Sequence, residues 1–540
     1  MSISTPNAIS TPNTSPTITT DALIIGFGKG GKTLAAKLSA AGRKVVVAEA
    51  SADMYGGTCI NIGCLPSKSL ILSAEQARRD GANSTPETRE AAFEAAIKEK
   101  RRVTSMLRDK NYHKLADQDN ITVITGRAHF TGPHSVEIAT AEGPVAVTAS
   151  KIFINTGATP RIPDIPGIRT TPGVYTSTGL MDLDDMPQRL VIIGSGFIGL
   201  EFASMFADFG TAVTVLQHNA EFLPREDADV AAAIRAQLEA QGVKFLFNAD
   251  TKAIAPAADG GVRLSVAVKG MTRGASQACD STPAGTGNAH TDITGATGAT
   301  DTTTTTSPTS NPTDHATMSH VQTKPSDDGE PRFAEPAEAR FCLTTDAVLV
   351  ATGRTPNVEG LHLEAAGVEL TERGAVKVDE LLRTTAADIW ALGDVNGGPQ
   401  HTYISLDDYR VVWSQLNGSD RPYTVKDRKH VPSSTFLATP YSRVGLNERE
   451  AKAAGLDYVK RLPVAAVPKA QVMRRPDGLM KAIVERNTGR ILGAMLLSVE
   501  SHEVINIVKL AMDLDAPAST LRDMVFTHPT IAEALNDLFA

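Results

Sequence analysis

Ala22-Leu23-Ile24-Ile25-Gly26-Phe27-Gly28-Lys29-Gly30-Gly31 reads as an apolar strand that runs into a glycine turn and out into a helix. A helical stretch follows, then a second apolar strand, Val45–Ala48, ending at Glu49. The same phrase returns much later as Leu190–Ile193, Gly194-Ser195-Gly196-Phe197-Ile198-Gly199, a helical stretch, and Val213–Leu216 ending at Gln217. In both copies the strand-end residue stands 23 positions after the first glycine. Small residues in such a turn let backbone amides approach a pyrophosphate at the positive end of the helix dipole, and a strand-end acid can take a ribose hydroxyl. Gly26, Gly28 and Gly31 with Glu49 are therefore candidates for one dinucleotide, and Gly194, Gly196 and Gly199 with Gln217 for another. Apolar strands alternating with Ala-rich helical stretches make the class α/β, with two Rossmann-like nucleotide-binding domains.

The rest of the chain narrows the function. At 540 residues it exceeds what one core usually serves, so several domains are expected. A formal charge of −8 and the lack of any Lys/Arg block argue against nucleic acid or a membrane surface as partner. Residues 1–20, rich in Ser, Thr, Pro and Asn, read as a disordered tail rather than a secretory signal. No apolar run approaches the roughly 18 residues of a membrane helix, so a soluble, cytoplasmic protein is expected. Between about Met271 and Phe333 the chain turns to Thr, Ser, Pro, Gly and Asp and lacks Leu, Tyr and Trp, which reads as a disordered insert between two strands, Val262–Val268 and Phe341–Leu343. Its histidines, His290, His315 and His320, match no metal-site spacing and read as linker residues, so no structural metal is expected. Only four cysteines occur, Cys59, Cys64, Cys279 and Cys342, which excludes a disulfide-stapled scaffold.

Two of them stand in Gly56-Gly57-Thr58-Cys59-Ile60-Asn61-Ile62-Gly63-Cys64-Leu65-Pro66-Ser67-Lys68. Five residues on a helical start is just over one turn, a spacing that can bring two sulfurs into bonding reach; a pair of buried structural thiols is the other reading. The whole string resembles the redox signature of the class I pyridine nucleotide-disulfide oxidoreductases, which include lipoamide dehydrogenase, glutathione reductase and mercuric reductase. The resemblance covers the chain apart from the tail and the insert. It implies FAD at the first glycine loop, NADH or NADPH at the second, and a disulfide relay in which Cys64 faces the flavin and Cys59 the acceptor. By the same likeness Gly57 and Thr58 border the flavin, and Lys68 and Glu201 form a pair beside it. Thr384–Asp394 is similar to the family's second FAD motif, so Gly393 and Asp394 are placed at the ribityl chain. Asn155-Thr156-Gly157 and Ala351-Thr352-Gly353-Arg354 resemble its paired turns at the domain junctions.

His528-Pro529-Thr530-Ile531-Ala532-Glu533 is similar to the family's acid/base segment, in which His528 and Glu533 would pair and serve the other subunit's cysteines in a homodimer. The domains implied are a tail at 1–20, a first FAD-binding part at 21–160, an NAD(P)-binding domain at 161–352 with the insert at about 271–333, a second FAD-binding part at 353–430, and an α+β dimerisation domain at 431–540. Gly26–Lys29, Thr402–Arg410, Ser501–Lys509 and Phe526–Pro529 further resemble the RclA-like flavoprotein reductases, a branch associated with reactive chlorine resistance and copper(II) reduction. Transient copper at Cys59 and Cys64 is then expected, with oxidative-stress defence as the role. Mercuric reductase fits less well because its C-terminal cysteine pair is absent, the chain ending at Phe539-Ala540. Dihydrolipoamide dehydrogenase is the rival enzyme, and a flavin-bound redox sensor or scaffold the rival of another class. Gln217 stands where an acid would favour NADH, which leaves the nicotinamide preference open.

Overall fold

A computed structural model of the protein describes residues 17–81, 84–269, 338–456 and 459–540, so the insert lies outside the described residues. Near-continuous apolar runs build a seven-stranded sheet in the order Ile121–Thr125, Val45–Glu49, Thr17–Ile25, Gly143–Ile154, Ser135–Thr140, Arg127–Gly132, with Ile389–Ala391 also paired to Gly143–Ile154. The parallel core registers Ile25 with Ala48 and Ile154, and Ile154 with Ala391. Ile25, Ala48, Ile154 and Ala391 thus lie level, and the next residues, Gly26, Glu49, Asn155 and Leu392, emerge along one edge. Leu23, Ile24, Val47, Ile152 and Ile154 are fully buried, as a parallel sheet covered on both faces requires.

One boundary differs from the sequence reading. The first strand begins at Thr17, inside the segment read as a disordered tail, and Thr17–Thr20 pair with Ala146–Ala149. Without them the edge of Gly143–Ile154 opposite Ser135–Thr140 would have no partner along its first half, and Thr-Ile-Thr-Thr is a β-branched run suited to meet it.

A second, five-stranded parallel sheet runs Lys244–Leu246, Ala212–Leu216, Arg189–Ile193, Ala347–Val350, Val174–Tyr175. A three-stranded antiparallel layer, Ala249–Pro256, Val262–Lys269 and Glu338–Thr345, accompanies it, and the two strands expected beside the insert are its second and third members. The chain then returns to finish the first sheet at Ile389–Ala391. The C-terminal unit is a five-stranded antiparallel sheet, Ser433–Thr435, Tyr441–Gly445, Ile491–Leu497, Leu479–Val484, Val459–Pro463, backed by helix Ser501–Asp513 through Val504, Ile505, Val508 and Met512. One apolar core joins the units, since Leu70, Phe93, Phe206, Tyr441 and Met495 belong to a single buried cluster.

Candidate active site

Both glycine loops are built alike. Gly26 and Gly194 hold φ of +103° and +108°, and a Cβ on either would lie 2.4 Å from the Asn155 carbonyl oxygen or 2.6 Å from that of Ala351. Only glycine satisfies both limits. Gly28 and Gly196 then stand at the N-termini of helices Lys29–Ala40 and Phe197–Phe209 with no capping side chain, where the helix dipole favours an anion. Gly31 and Gly199 serve packing instead. A Cβ at Gly31 would sit 2.8 Å from the Ile24 side chain, and one at Gly199 only 2.3 Å from the Gly194 carbonyl.

The strand-end residues are tied to these loops. Phe27 N–H donates to Glu49 Oε2 at 2.9 Å, and burial raises the Glu49 carboxyl despite that bond. In the second loop the Ser195 hydroxyl donates to Gln217 Oε1 at 2.5 Å. Asn155 stitches the first unit to the returning chain: its Oδ1 accepts from Gly31 N–H at 2.9 Å and its Nδ2 donates to the Leu392 carbonyl at 2.7 Å. Asp394 lies just beyond, its carboxyl raised by burial and held back by the Arg354 charge. The paired turns interlock, with Arg161 N–H donating to the Gly353 carbonyl at 2.9 Å and Thr156 Oγ1 to that of Asn357 at 2.7 Å.

These groups converge on one cavity of about 2390 Å³. Its wall includes Gly26, Gly28, Glu49, Gly57, Thr58, Gly157, Gly194, Gly196, Gln217, Gly353 and Asp394, with Cys59, Cys64, Lys68 and Glu201 between the two loops. Gly393 stands behind, its N–H donating to Asp408 Oδ2 at 2.7 Å. The positive ends of two helices, a buried strand-end acid and a half-buried acid are a set that fits the pyrophosphate, ribose and ribityl chain of FAD. The close approach of Gly57 to the loop, where a Cβ would meet Gly28 Cα at 2.7 Å, shapes the same cradle.

Cys59 lies on the short helix Thr58–Asn61, and Cys64 begins helix Cys64–Arg79. Both are thiols in this structure. The hydrogen bond between them lowers Cys64 to about 6, against burial and with help from Thr402 and Lys68. The same bond, with burial, pushes Cys59 up. The thiolate of the pair is therefore Cys64, at a helix N-terminus that favours negative charge. Lys68 Nζ bonds Glu201 Oε2 at 2.7 Å and sits 4.5 Å from the Phe436 ring centroid, while Glu201 Oε1 accepts from Phe436 N–H at 2.9 Å. One ion pair thus joins the redox helix, the second nucleotide unit and the C-terminal unit.

His528 and Glu533 pair as expected, Nδ1 to Oε2 at 2.8 Å, and Thr530 N–H fixes the other carboxylate oxygen at 2.9 Å. They are not brought to the cysteines: neither lines the cavity, and the His528 side chain is 70% exposed.

Several residues escaped the sequence reading. Thr402 Oγ1 lies 3.7 Å from Cys64 Sγ, and Ser405 Oγ accepts from Gly30 N–H at 3.0 Å. Arg428 bridges Asp407 and Asp408 at 2.7 and 2.5 Å. Thr402, Ser405, Asp407 and Asp408 fall within a string singled out only for its likeness, and nothing local marks Arg428 as their partner.

Two dinucleotide folds, a dithiol on the wall between them and a separate C-terminal sheet define a flavin- and pyridine nucleotide-dependent disulfide reductase. The chain belongs to the pyridine nucleotide-disulphide oxidoreductase family: residues 20–293 and 301–408 match the family, and residues 431–539 match its dimerisation domain. It is 44% identical over 520 residues to the probable pyridine nucleotide-disulfide oxidoreductase RclA of Escherichia coli, covering 96% of this chain and 98% of that one. It is 29% identical to a mercuric reductase of Staphylococcus aureus, over 95% of this chain and 81% of that one. Among solved structures it is similar to the Cu(II) complex of the HOCl-induced flavoprotein disulfide reductase RclA from Escherichia coli, with a TM-score of 0.79 and 44% identity over 96% of this chain and 99% of that one. The protein is thus an oxidoreductase whose family uses FAD and a pyridine nucleotide. No helix among the described residues is long and apolar enough to cross a membrane.

Proposed function

We propose that the protein uses NADH or NADPH to reduce copper(II), or related thiol-reactive metals and oxidants, through the Cys59–Cys64 pair in oxidative-stress defence. The observation that carries this reading is the asymmetric dithiol: a low-lying Cys64 beside Lys68, and a Cys59 whose proton is held. Gly26, Gly28, Glu49 and Asp394 would hold FAD, which would supply the exchange between two-electron nicotinamide chemistry and thiol chemistry. Reduction of the disulfide by one NAD(P)H and one proton yields both thiols and NAD(P)⁺. Two copper(II) ions then take one electron each, the S–S bond reforms and two protons leave. Soft sulfur favours the copper(I) product. Cys59 would meet the acceptor, with His528 of the partner subunit carrying its proton and Glu533 of the partner subunit orienting that imidazole. The likeness to a reductase solved as a Cu(II) complex supports copper as acceptor.

Turnover with copper(II), mercury(II), lipoamide and oxygen, each with NADH and NADPH, tests the reading. The expected result is copper-dependent NAD(P)H oxidation that Cys59→Ser and Cys64→Ser abolish, with Cys64→Ser also removing the long-wavelength thiolate-to-flavin absorbance of the two-electron-reduced enzyme. Fast lipoamide turnover beside slow copper turnover would reassign the protein as a dihydrolipoamide dehydrogenase. Absence of NAD(P)H oxidation with every acceptor would leave a flavin-bound sensor.

A further inference from the structure

Beyond Gln217, the cavity wall of the second nucleotide unit is continued by Leu223, Pro224, Arg225 and Glu226. This short segment is strained, because Leu223 holds φ at +47°, a left-handed value that branched side chains rarely adopt. Its shape is imposed from the C-terminal unit. Asn447 Nδ2 donates to the Arg225 carbonyl at 2.8 Å, Arg449 Nη1 donates to the Pro224 carbonyl at 2.5 Å, and the Tyr441 hydroxyl donates to Glu226 Oε2.

Behind the segment lies Lys481, on strand Leu479–Val484, with no side-chain exposure. Its ammonium donates to Asp227 Oδ2 at 2.9 Å, Asp229 Oδ1 at 2.7 Å and Glu448 Oε2 at 2.8 Å. An ammonium has three protons, and each finds a carboxylate. Burial works against its charge, yet these bonds leave Lys481 raised above its ordinary value. Asp227 and Asp229 open helix Ala228–Ala240 of the second nucleotide unit, whereas Lys481 and Glu448 come from the C-terminal unit. Asp227 also accepts from the backbone amides of Glu448 and Arg449, at 3.0 and 3.3 Å. The acids are close enough together to suggest a cation site, but the ammonium already sits among them as their counter-ion.

A lysine with every proton committed fixes orientation more than it adds stability, because the cost of desolvating the charges offsets much of their attraction. We infer that Lys481 is a positioning residue: through Asp227 it holds the strained Leu223–Glu226 wall in the shape that receives the nicotinamide dinucleotide. This rests on the reading that the Gly194–Gly199 loop takes NAD(P)H. It adds that the C-terminal unit, which contributes no glycine loop, sets the affinity of that site.

The test uses the purified, FAD-loaded enzyme and three variants. Lys481→Met should raise the KM for NADH and NADPH by about tenfold with kcat changed less than about twofold, the pattern of lost uniform binding. The long-wavelength absorbance produced by dithiothreitol, which needs no nicotinamide, should match that of the wild type. Lys481→Arg should recover most of the affinity, and Tyr441→Phe should raise the same KM by a smaller factor. An unchanged nicotinamide KM in folded Lys481→Met protein overturns the inference. So does a loss of the dithiothreitol-induced absorbance together with activity, which marks a general structural role. Where Lys481→Met does not fold, an unchanged KM in Tyr441→Phe overturns it equally. A wild-type enzyme that oxidises neither NADH nor NADPH rejects the functional reading itself, a result distinct from all of these.

Discussion

At the scale of single residues, the chemistry turns on how the protein divides one proton between two sulfurs. Cys64 falls from 9.0 to about 6 because Cys59 donates to it, and Lys68 adds positive charge nearby. Since its folded value lies below the unfolded one, Cys64 contributes stability to the reduced protein that is complete above about pH 9 and lost as pH falls through about 6. The thiolate-to-flavin absorbance of the reduced enzyme should therefore fade with a midpoint near pH 6, and Lys68→Met should move that midpoint up by on the order of one unit. A midpoint near the ordinary thiol value in the wild type would contradict the assignment. Gln217 carries a second prediction. Its amide presents no charge to a 2′-phosphate, so Gln217→Glu should lower kcat/KM for NADPH relative to NADH by about tenfold, read directly from steady-state kinetics. The sequence displayed both positions because their reasons are local: two cysteines five residues apart, and a residue that ends a strand 23 positions after a glycine. Thr402, which touches Cys64, was hidden because 338 residues separate the two.

At the scale of elements, helix Thr402–Leu416 does what the glycine loops cannot, anchoring the returning chain beside the cavity. Asp408 on this helix accepts from Gly393 N–H, so the turn that carries Asp394 hangs on its carboxylate. Burial raises Asp408, and Arg428 supplies the compensating charge. Arg428→Met should leave Asp407 and Asp408 without that charge and cost about 3 kcal/mol, the toll of breaking a buried pair. Urea unfolding should show it as a lower midpoint, and flavin should be released more readily on dilution. An unchanged midpoint with full flavin retention would show that Gly393 does not depend on the pair. Strands and glycine turns were legible because apolar runs and steric limits are written into consecutive residues. The Arg428 bridge was not, since an arginine in a polar turn looks like any solvated charge until the fold brings it to the helix. Thr17–Thr20 were read as tail for a similar reason: their pairing strand lies more than a hundred residues ahead.

At the scale of the whole molecule, the described chain builds the nucleotide cavity and the dithiol but leaves the His528–Glu533 pair elsewhere. His528 and Glu533 are hydrogen-bonded to each other and absent from the cavity wall, and Val525 nearby is 93% exposed, with Met524, Leu510, Leu514 and Val472 also exposed on the same C-terminal unit. These are exposed apolar side chains on the unit whose residues 431–539 match a dimerisation domain. A twofold dimer that covered them could deliver each His528 to the opposite cysteines, which makes the shared site a matter for complementation. Cys59→Ser protein lacks the sulfur proposed to face the acceptor, and His528→Ala protein lacks the proposed proton carrier, so each homodimer should be nearly inactive. When the two are mixed and allowed to exchange subunits, half the dimers become hybrids, and each hybrid has one cavity with both Cys59 and His528 intact. Random exchange should thus restore about a quarter of wild-type turnover, since a twofold interface pairs each chain's site with the other's histidine. Recovery should track the hybrid fraction measured by native mass spectrometry with one variant tagged. Hybrids that form but remain inactive would place His528 in its own chain's chemistry or outside the reaction altogether.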